Sequence, residues 1–258
     1  MLVIPIILGS LSGRLVNYLA DVLPVDGIFS CPDCPVCKKK YSWTDYFLYR
    51  NCTNCGKRRG LRNPVVHIML MVAIVLIWII PGQILPFLLA FILLVYLMLV
   101  LVIDLEHRLI LHPVSIIGAF LGMGIGLFMR GKQSLTYGIV STLLGGIAGF
   151  GITLVFYFLG RVFIRQFSKK RGLANNEVAL GFGDVCLSGI LGLLLGWQVI
   201  MTCLLYSILA GGLVSLIILF KMLIAKKYRV IAIPYAPFLI LSAFYILFIQ
   251  YDSLLHIQ

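Results

Sequence analysis

Eight long apolar runs divide this chain, and they constrain it more than any other feature. They are Leu2–Leu19, Val65–Ile80, Ile84–Ile103, Ile110–Met129, Leu135–Gly160, Ala179–Gly196, Gln198–Phe220 and Ile233–Gln250. A run of about 17–25 apolar residues can cross a hydrocarbon core roughly 30 Å thick. Within lipid every backbone N–H and C=O must find its partner inside its own segment, so each run is expected to be a helix. The chain is 61% hydrophobic and 12% charged, against about 45–50% and about 25% for a soluble domain. The expectation is an all-α polytopic membrane protein with about eight transmembrane helices. Residues 1–20 would hold the first helix, 21–63 a polar loop, and 64–258 a membrane-embedded bundle of about seven helices. Leu2–Leu19 lacks a basic leading segment and a good cleavage site, so it reads as a retained span rather than a signal peptide.

The formal net charge of +12 is placed to orient these spans. Segment 20–63 carries Lys38, Lys39, Lys40, Arg50, Lys57, Arg58, Arg59 and Arg62. The later segments on the same side carry Arg108, then Arg161, Arg165, Lys169, Lys170 and Arg171, then Lys221, Lys226, Lys227 and Arg229. The opposite side has Arg130 and Lys132. The positive-inside rule makes the first side cytoplasmic and leaves both termini outside. No basic face is interleaved with aromatics, so a nucleic-acid partner is not expected. The partner implied by composition is the lipid bilayer.

The long loop reads CPDCPVCKKKYSWTDYFLYRNCTNC and holds Cys31, Cys34, Cys37, Cys52 and Cys55. Disulfides are rare in a reducing cytosol. Two C-x-x-C pairs instead supply four thiolates for a tetrahedral Zn²⁺, and four protein ligands leave no open position, which marks a structural site. Spacing alone leaves two choices for the first pair, Cys31 with Cys34 or Cys34 with Cys37. Cys186 and Cys203 fall inside apolar runs, where a thiol is a small packing residue.

Asp104 ends the third run and Asp184 opens the sixth. Ionisable groups at such positions are functional candidates. By the topology above both lie at similar depth on the cytoplasmic side, where they can face each other. Two carboxyls in a confined, low-dielectric site cannot both ionise easily, so one keeps its proton and the pair titrates as a unit. That provides a base for a water and an acid for a peptide carbonyl and its leaving amine. Gly181 and Gly183 would let the chain turn sharply there and let a substrate backbone approach. The bland alternative is a pair of solvated helix ends. It suits Asp184 in a first helical turn but not Asp104 at a helix C-terminus. Glu106 and Glu177 read as solvated or supporting groups, and His107 and His112 as interfacial.

At this point the sequence resembles a known family. Gly181-Phe182-Gly183-Asp184 is similar to the G-x-G-D motif of intramembrane aspartyl proteases, with Asp104 as its partner. The cysteine loop narrows the resemblance to bacterial type IV prepilin peptidases. GRLVNYLADVLP, with Gly13, Asn17, Leu23 and Pro24, resembles their first span. CPVCKKKYSW resembles their C-P-x-C followed by tryptophan, which favours Cys34 and Cys37 over Cys31. DLEHRLIL resembles the segment after the first aspartate, and PYAPFL, with Pro234 and Pro237, resembles P-F-G-P-F-L. The resemblance implies cleavage of basic leaders from prepilin or pseudopilin precursors in the inner membrane. It also implies methylation of the new N-terminus from S-adenosylmethionine. Glu106 or Glu177 would contact the leader. The chain departs from the pattern at Cys186, where lysine is common, and at Leu111, where proline is usual. The stretch between its cysteine pairs is short. Two rival readings are a proton-coupled transporter using the same carboxylates as a relay, and a non-catalytic zinc-bearing assembly factor that keeps the cysteines and tolerates loss of either aspartate.

Overall fold

The structure is a computed structural model and describes residues 3–24, 30–34, 36–57, 60–79, 85–107, 111–131, 134–171, 181–225 and 234–250. The turn expected at Pro81-Gly82, residue Glu177, and the basic residues Arg58, Arg59, Arg108, Lys132, Lys226, Lys227 and Arg229 lie outside the described residues. The chain divides into two compact units, Met1–His107 and Arg108–Gln258.

The first unit contains α1 (Val3–Val22), a short α2 (Trp43–Phe47) inside the cysteine loop, α3 (Arg62–Ile79) and α4 (Phe87–His107). α1 packs on α3 and α4, and α3 packs on α4. In lipid there is no hydrophobic force between helices, so close approach of backbones is what holds them together, and small residues permit it. Gly9 and Gly13 do this on α1. A Cβ at either would stand 2.7 Å from Met71 Cα or 2.9 Å from His67 Cα. α2 docks on the end of α1 through aromatic rings, with Tyr18 and Trp43 centroids 5.4 Å apart and Tyr18 and Tyr46 5.9 Å apart.

The second unit contains α5 (His112–Arg130), α6 (Leu135–Arg171), α7 (Phe182–Leu195), α8 (Trp197–Ala225) and α9 (Ala236–Tyr245), which runs on into a π-helical turn at Ile246–Gln250. α7 is its core, packed by α5, α6, α8 and α9. Large apolar side chains such as Phe120, Ile147 and Leu209 remain exposed on the outer helices. Such surface would drive aggregation in water, and a bilayer is its natural solvent.

Among the described residues, a helix overlaps each of the eight apolar runs. Among the described residues, six helices are long and apolar enough to cross a membrane, and Phe182–Leu195 and Ala236–Gln250 are shorter. At about 1.5 Å per residue, α7 covers about 21 Å, less than the roughly 30 Å core. Two ends differ from expectation. α6 continues to Arg171 and α8 to Ala225, beyond the apolar runs that end at Gly160 and Phe220. Composition records where lipid ends, whereas a helix continues into water as long as its residues are good helix formers.

α7 stops where it does because its end is capped from a neighbour. Arg130, at the close of α5, is buried. Its Nη1 donates to Leu194 O (3.1 Å), and its Nη2 donates to Leu193 O (2.9 Å) and Thr142 Oγ1 (2.7 Å). Gly196 follows with φ +82, and a Cβ there would lie 2.9 Å from the same guanidinium. This position requires glycine both for its backbone conformation and for space.

Candidate functional site

The two cysteine pairs fold into matching knuckles. Cys34 N–H donates to Lys39 O (2.9 Å) while Lys38 N–H donates to Cys34 O (2.9 Å). Cys52 N–H donates to Lys57 O (3.2 Å) while Gly56 N–H donates to Cys52 O (2.9 Å). The residue four after each leading cysteine is left-handed, Lys38 with φ 56 and Gly56 with φ 65. Glycine takes that conformation without strain, and the lysine takes it at a cost of about 1 kcal/mol. An antiparallel bridge between Asp33 and Lys40 closes the first knuckle.

The result brings together Cys34, Cys37, Cys52 and Cys55, whose sulfurs all lie within 4.8 Å of one another. The Cys34–Cys55 and Cys37–Cys52 sulfur pairs are each 3.6 Å apart. A tetrahedral ion with bonds of about 2.3 Å to sulfur sets its ligands about 3.8 Å apart, so the set fits a metal such as zinc. Cys31 is not one of the four. The choice that spacing left open falls on Cys34 with Cys37.

Protonation differs among these sulfurs. Backbone N–H groups of Cys37 and Val36 point at the Cys34 sulfur and lower it to about 6. Those of Cys55 and Asn54 lower Cys52 in the same way. At Cys55 the Lys57 N–H also lowers, but desolvation and the three neighbouring sulfurs outweigh it, and the thiol is pushed up to about 12. Cys34 and Cys52 are thus set up as thiolates, and Cys55 keeps its proton beside them.

Beside this cluster a polar network crosses the first unit. Arg62, the first residue of α3, donates through Nη2 to Asp21 Oδ1 (2.5 Å) and through Nη1 to Glu106 Oε2. Its Nε and Nη2 also reach Asn63 Oδ1 at 3.1 and 3.0 Å. The Tyr46 hydroxyl donates to the other oxygen of Asp21 and lies 3.2 Å from Asn17 O. Asn17 Nδ2 donates to Asn63 O (3.1 Å). Glu106 is therefore held by an arginine of its own unit. Neither Arg62 nor Arg130 stood out in the sequence, where both read as charges that merely orient the spans.

The two aspartates belong to different units. Asp104 sits in the last turn of α4 and is 6% exposed. Its place at a helix C-terminus is electrostatically unfavourable for an anion. Asp184 is the third residue of α7 and is 7% exposed. Its carboxylate accepts the Gly181 N–H at 3.1 Å, and its own N–H donates to Gly181 O at 3.2 Å, a reciprocal cap of the helix start. Gly181 has φ −76 and ψ 147, an extended conformation open to any residue, and among the described residues the positive-φ glycines are Gly56 and Gly196. The sharp turn expected from Gly181 and Gly183 is thus an ordinary helix N-cap.

Pro237 occupies the first turn of α9, where its missing N–H costs nothing, and Pro234 stands just before the helix. Between them the Tyr235 hydroxyl meets Ser207 Oγ at 2.6 Å. Cys186 lies half-buried on α7, two residues after Asp184.

These features define a polytopic α-helical membrane protein with a four-cysteine cluster that could hold a metal such as zinc. Residues 91–216, from α4 into α8, match the type IV leader peptidase family. That segment contains both Asp104 and Asp184, and the match indicates a peptidase of an aspartic-type family. No curated protein and no solved structure matches the chain.

Proposed function

We propose that the protein is an intramembrane endopeptidase that removes the basic leader of type IV prepilin-like precursors at the cytoplasmic face of the bacterial inner membrane. Asp104 and Asp184 are its acid–base pair. The observation that carries this reading is that the segment matching the family contains two aspartates, each nearly dry at the end of an apolar helix. A charge in such a place is expensive and is kept for a purpose. The ionised carboxyl takes a proton from water as the oxygen attacks the scissile carbonyl. The protonated carboxyl donates to the developing oxyanion, and the tetrahedral adduct collapses as a proton passes to the leaving amine. The pair ends the cycle with the one shared proton it began with.

The precursor supplies a cytosolic leader followed by an apolar helix that docks among the spans from the bilayer. Both chain termini then lie outside, as the loop charges require. Gly181 and Gly183 leave room for the substrate backbone near Asp184, while Pro234 and Pro237 frame the start of α9. Glu177 remains a candidate for contact with the leader. Cys34, Cys37, Cys52 and Cys55 hold a structural Zn²⁺ that fixes the loop, and its closed ligand set supplies no open position for chemistry. Methylation of the new N-terminus from S-adenosylmethionine is implied by the resemblance alone, and none of the described residues is assigned to that cofactor.

The test incubates purified protein with a precursor bearing a basic leader and an apolar helix. Mass spectrometry of the product should find one cut between the leader and the helix. Labelled S-adenosylmethionine in the same reaction reads methylation separately. An intact precursor under all conditions would favour the assembly-factor role.

A further inference from the structure

Asp104 lies in the last turn of α4, the least secure part of a helix. The final carbonyls there have no partner within the helix, and an anion meets the wrong end of the macrodipole. A carboxyl that must meet a substrate in one geometry needs that turn held. Glu106 follows Asp104 by two residues, about 200° around the helix, so the two side chains leave from nearly opposite faces. Asp104 turns inward and is buried, while Glu106 reaches Arg62. Arg62 binds Asp21 of α1 with the other arm of its guanidinium. Asp21 in turn accepts the hydroxyl of Tyr46, which stands on α2 between the two cysteine pairs.

We propose that Arg62 is a positioning residue for the peptidase. By joining Glu106 to Asp21 it locks the rotation and depth of the α4 turn that presents Asp104, and through Tyr46 it ties that turn to the cysteine loop. This rests on the reading of Asp104 as catalytic. Arg62 suits the task because its planar fork serves two carboxylates at once, whereas a lysine is a single point charge. The order of the cysteine loop thereby bears on the geometry of a distant reacting group without the metal touching substrate.

The experiment compares wild-type protein with Arg62→Gln, Glu106→Gln, the double variant, Arg62→Lys and Asp104→Asn, all full-length and metal-loaded, on the same precursor. A misplacement of about 1 Å costs about 100-fold in rate, so Arg62→Gln should lower kcat about 10- to 100-fold while KM stays within about twofold. Glu106→Gln should lose a similar factor, and the double variant no more than Arg62→Gln, because all three remove one tether. Arg62→Lys should recover part of the loss. Metal content and melting temperature report folding, and Arg62→Lys with Glu106→Gln carries the test if Arg62→Gln is unstable. An unchanged kcat, losses that multiply in the double variant, or a rise confined to KM would each overturn the proposal. The last of these would make Glu106 a substrate contact. Cleavage by Asp104→Asn would instead sink the assignment of Asp104, whatever Arg62 does.

Discussion

The seam between α6 and α7 allows a sharp test of how the second unit holds Asp184. An alanine Cβ at Gly192 would lie 2.1 Å from Gly145 O, and one at Gly145 would lie 2.3 Å from Gly192 O. Ordinary van der Waals contact begins near 3.4 Å. Because the obstacle is backbone, the helices must part by more than about 1 Å at that level, and this close backbone contact is lost. Overpacking of this kind costs about 1–3 kcal/mol, which for a chain this size is about 2–12 °C in Tm. Asp184 begins the same helix about 12 Å away, so a rigid shift of α7 is carried to it, and cleavage should fall up to about 100-fold. Gly151, on α6 itself, is the control, since a Cβ there meets nothing within 4 Å. Gly151→Ala should keep its activity and gain up to about 1 kcal/mol of helix propensity. The assay heats detergent-solubilised variants and follows the surviving monodisperse fraction by size-exclusion chromatography, with cleavage measured on unheated samples. If Gly192→Ala melts and cleaves like Gly151→Ala, the backbones are not in contact and the seam argument is wrong.

Other perturbations reach the remaining parts. Metal analysis of the wild type should give about one zinc per chain, which Cys52→Ser with Cys55→Ser should abolish and Cys31→Ser should retain; metal-free wild-type protein would reject the cluster. Zinc uptake at pH 7 should release protons, at least one of them from Cys55, whose thiol sits at about 12, and almost none from Cys34 at about 6. Calorimetry in buffers of different ionisation enthalpy counts them. The affinity should weaken as the pH falls, most steeply below about 6, where Cys34 protonates too, and uptake without proton release would contradict the pattern. Arg130→Met should cost several kcal/mol, because Leu193 O and Leu194 O each lose a charged donor worth about 1.5–3 kcal/mol and stay buried; a Tm within a degree or two of wild type would refute the cap.

The helices were legible because lipid demands long apolar runs, and the metal site because C-x-x-C spacing leaves little else for the thiols to do. Other features were hidden for physical reasons. α6 runs on to Arg171 because the helix outlasts the bilayer, and hydropathy marks only the bilayer. Gly181-Phe-Gly183 suggested a strained turn, yet Gly181 is extended and its main use is an N–H for Asp184. Arg62 finds its partners 41 and 44 positions away in sequence, and Arg130 finds its own 63 and 64 positions away. Such contacts are fixed by packing, so both arginines looked like loop charges. The resemblance, not the spacing, separated Cys37 from Cys31.

The account depends most on the two aspartates acting as one catalytic unit. The direct measurement is precursor cleavage by Asp104→Asn and Asp184→Asn, each with its melting temperature and metal content checked against wild type. Both variants should fold, hold metal and leave the precursor whole. Cleavage at the wild-type rate by either one would contradict the account.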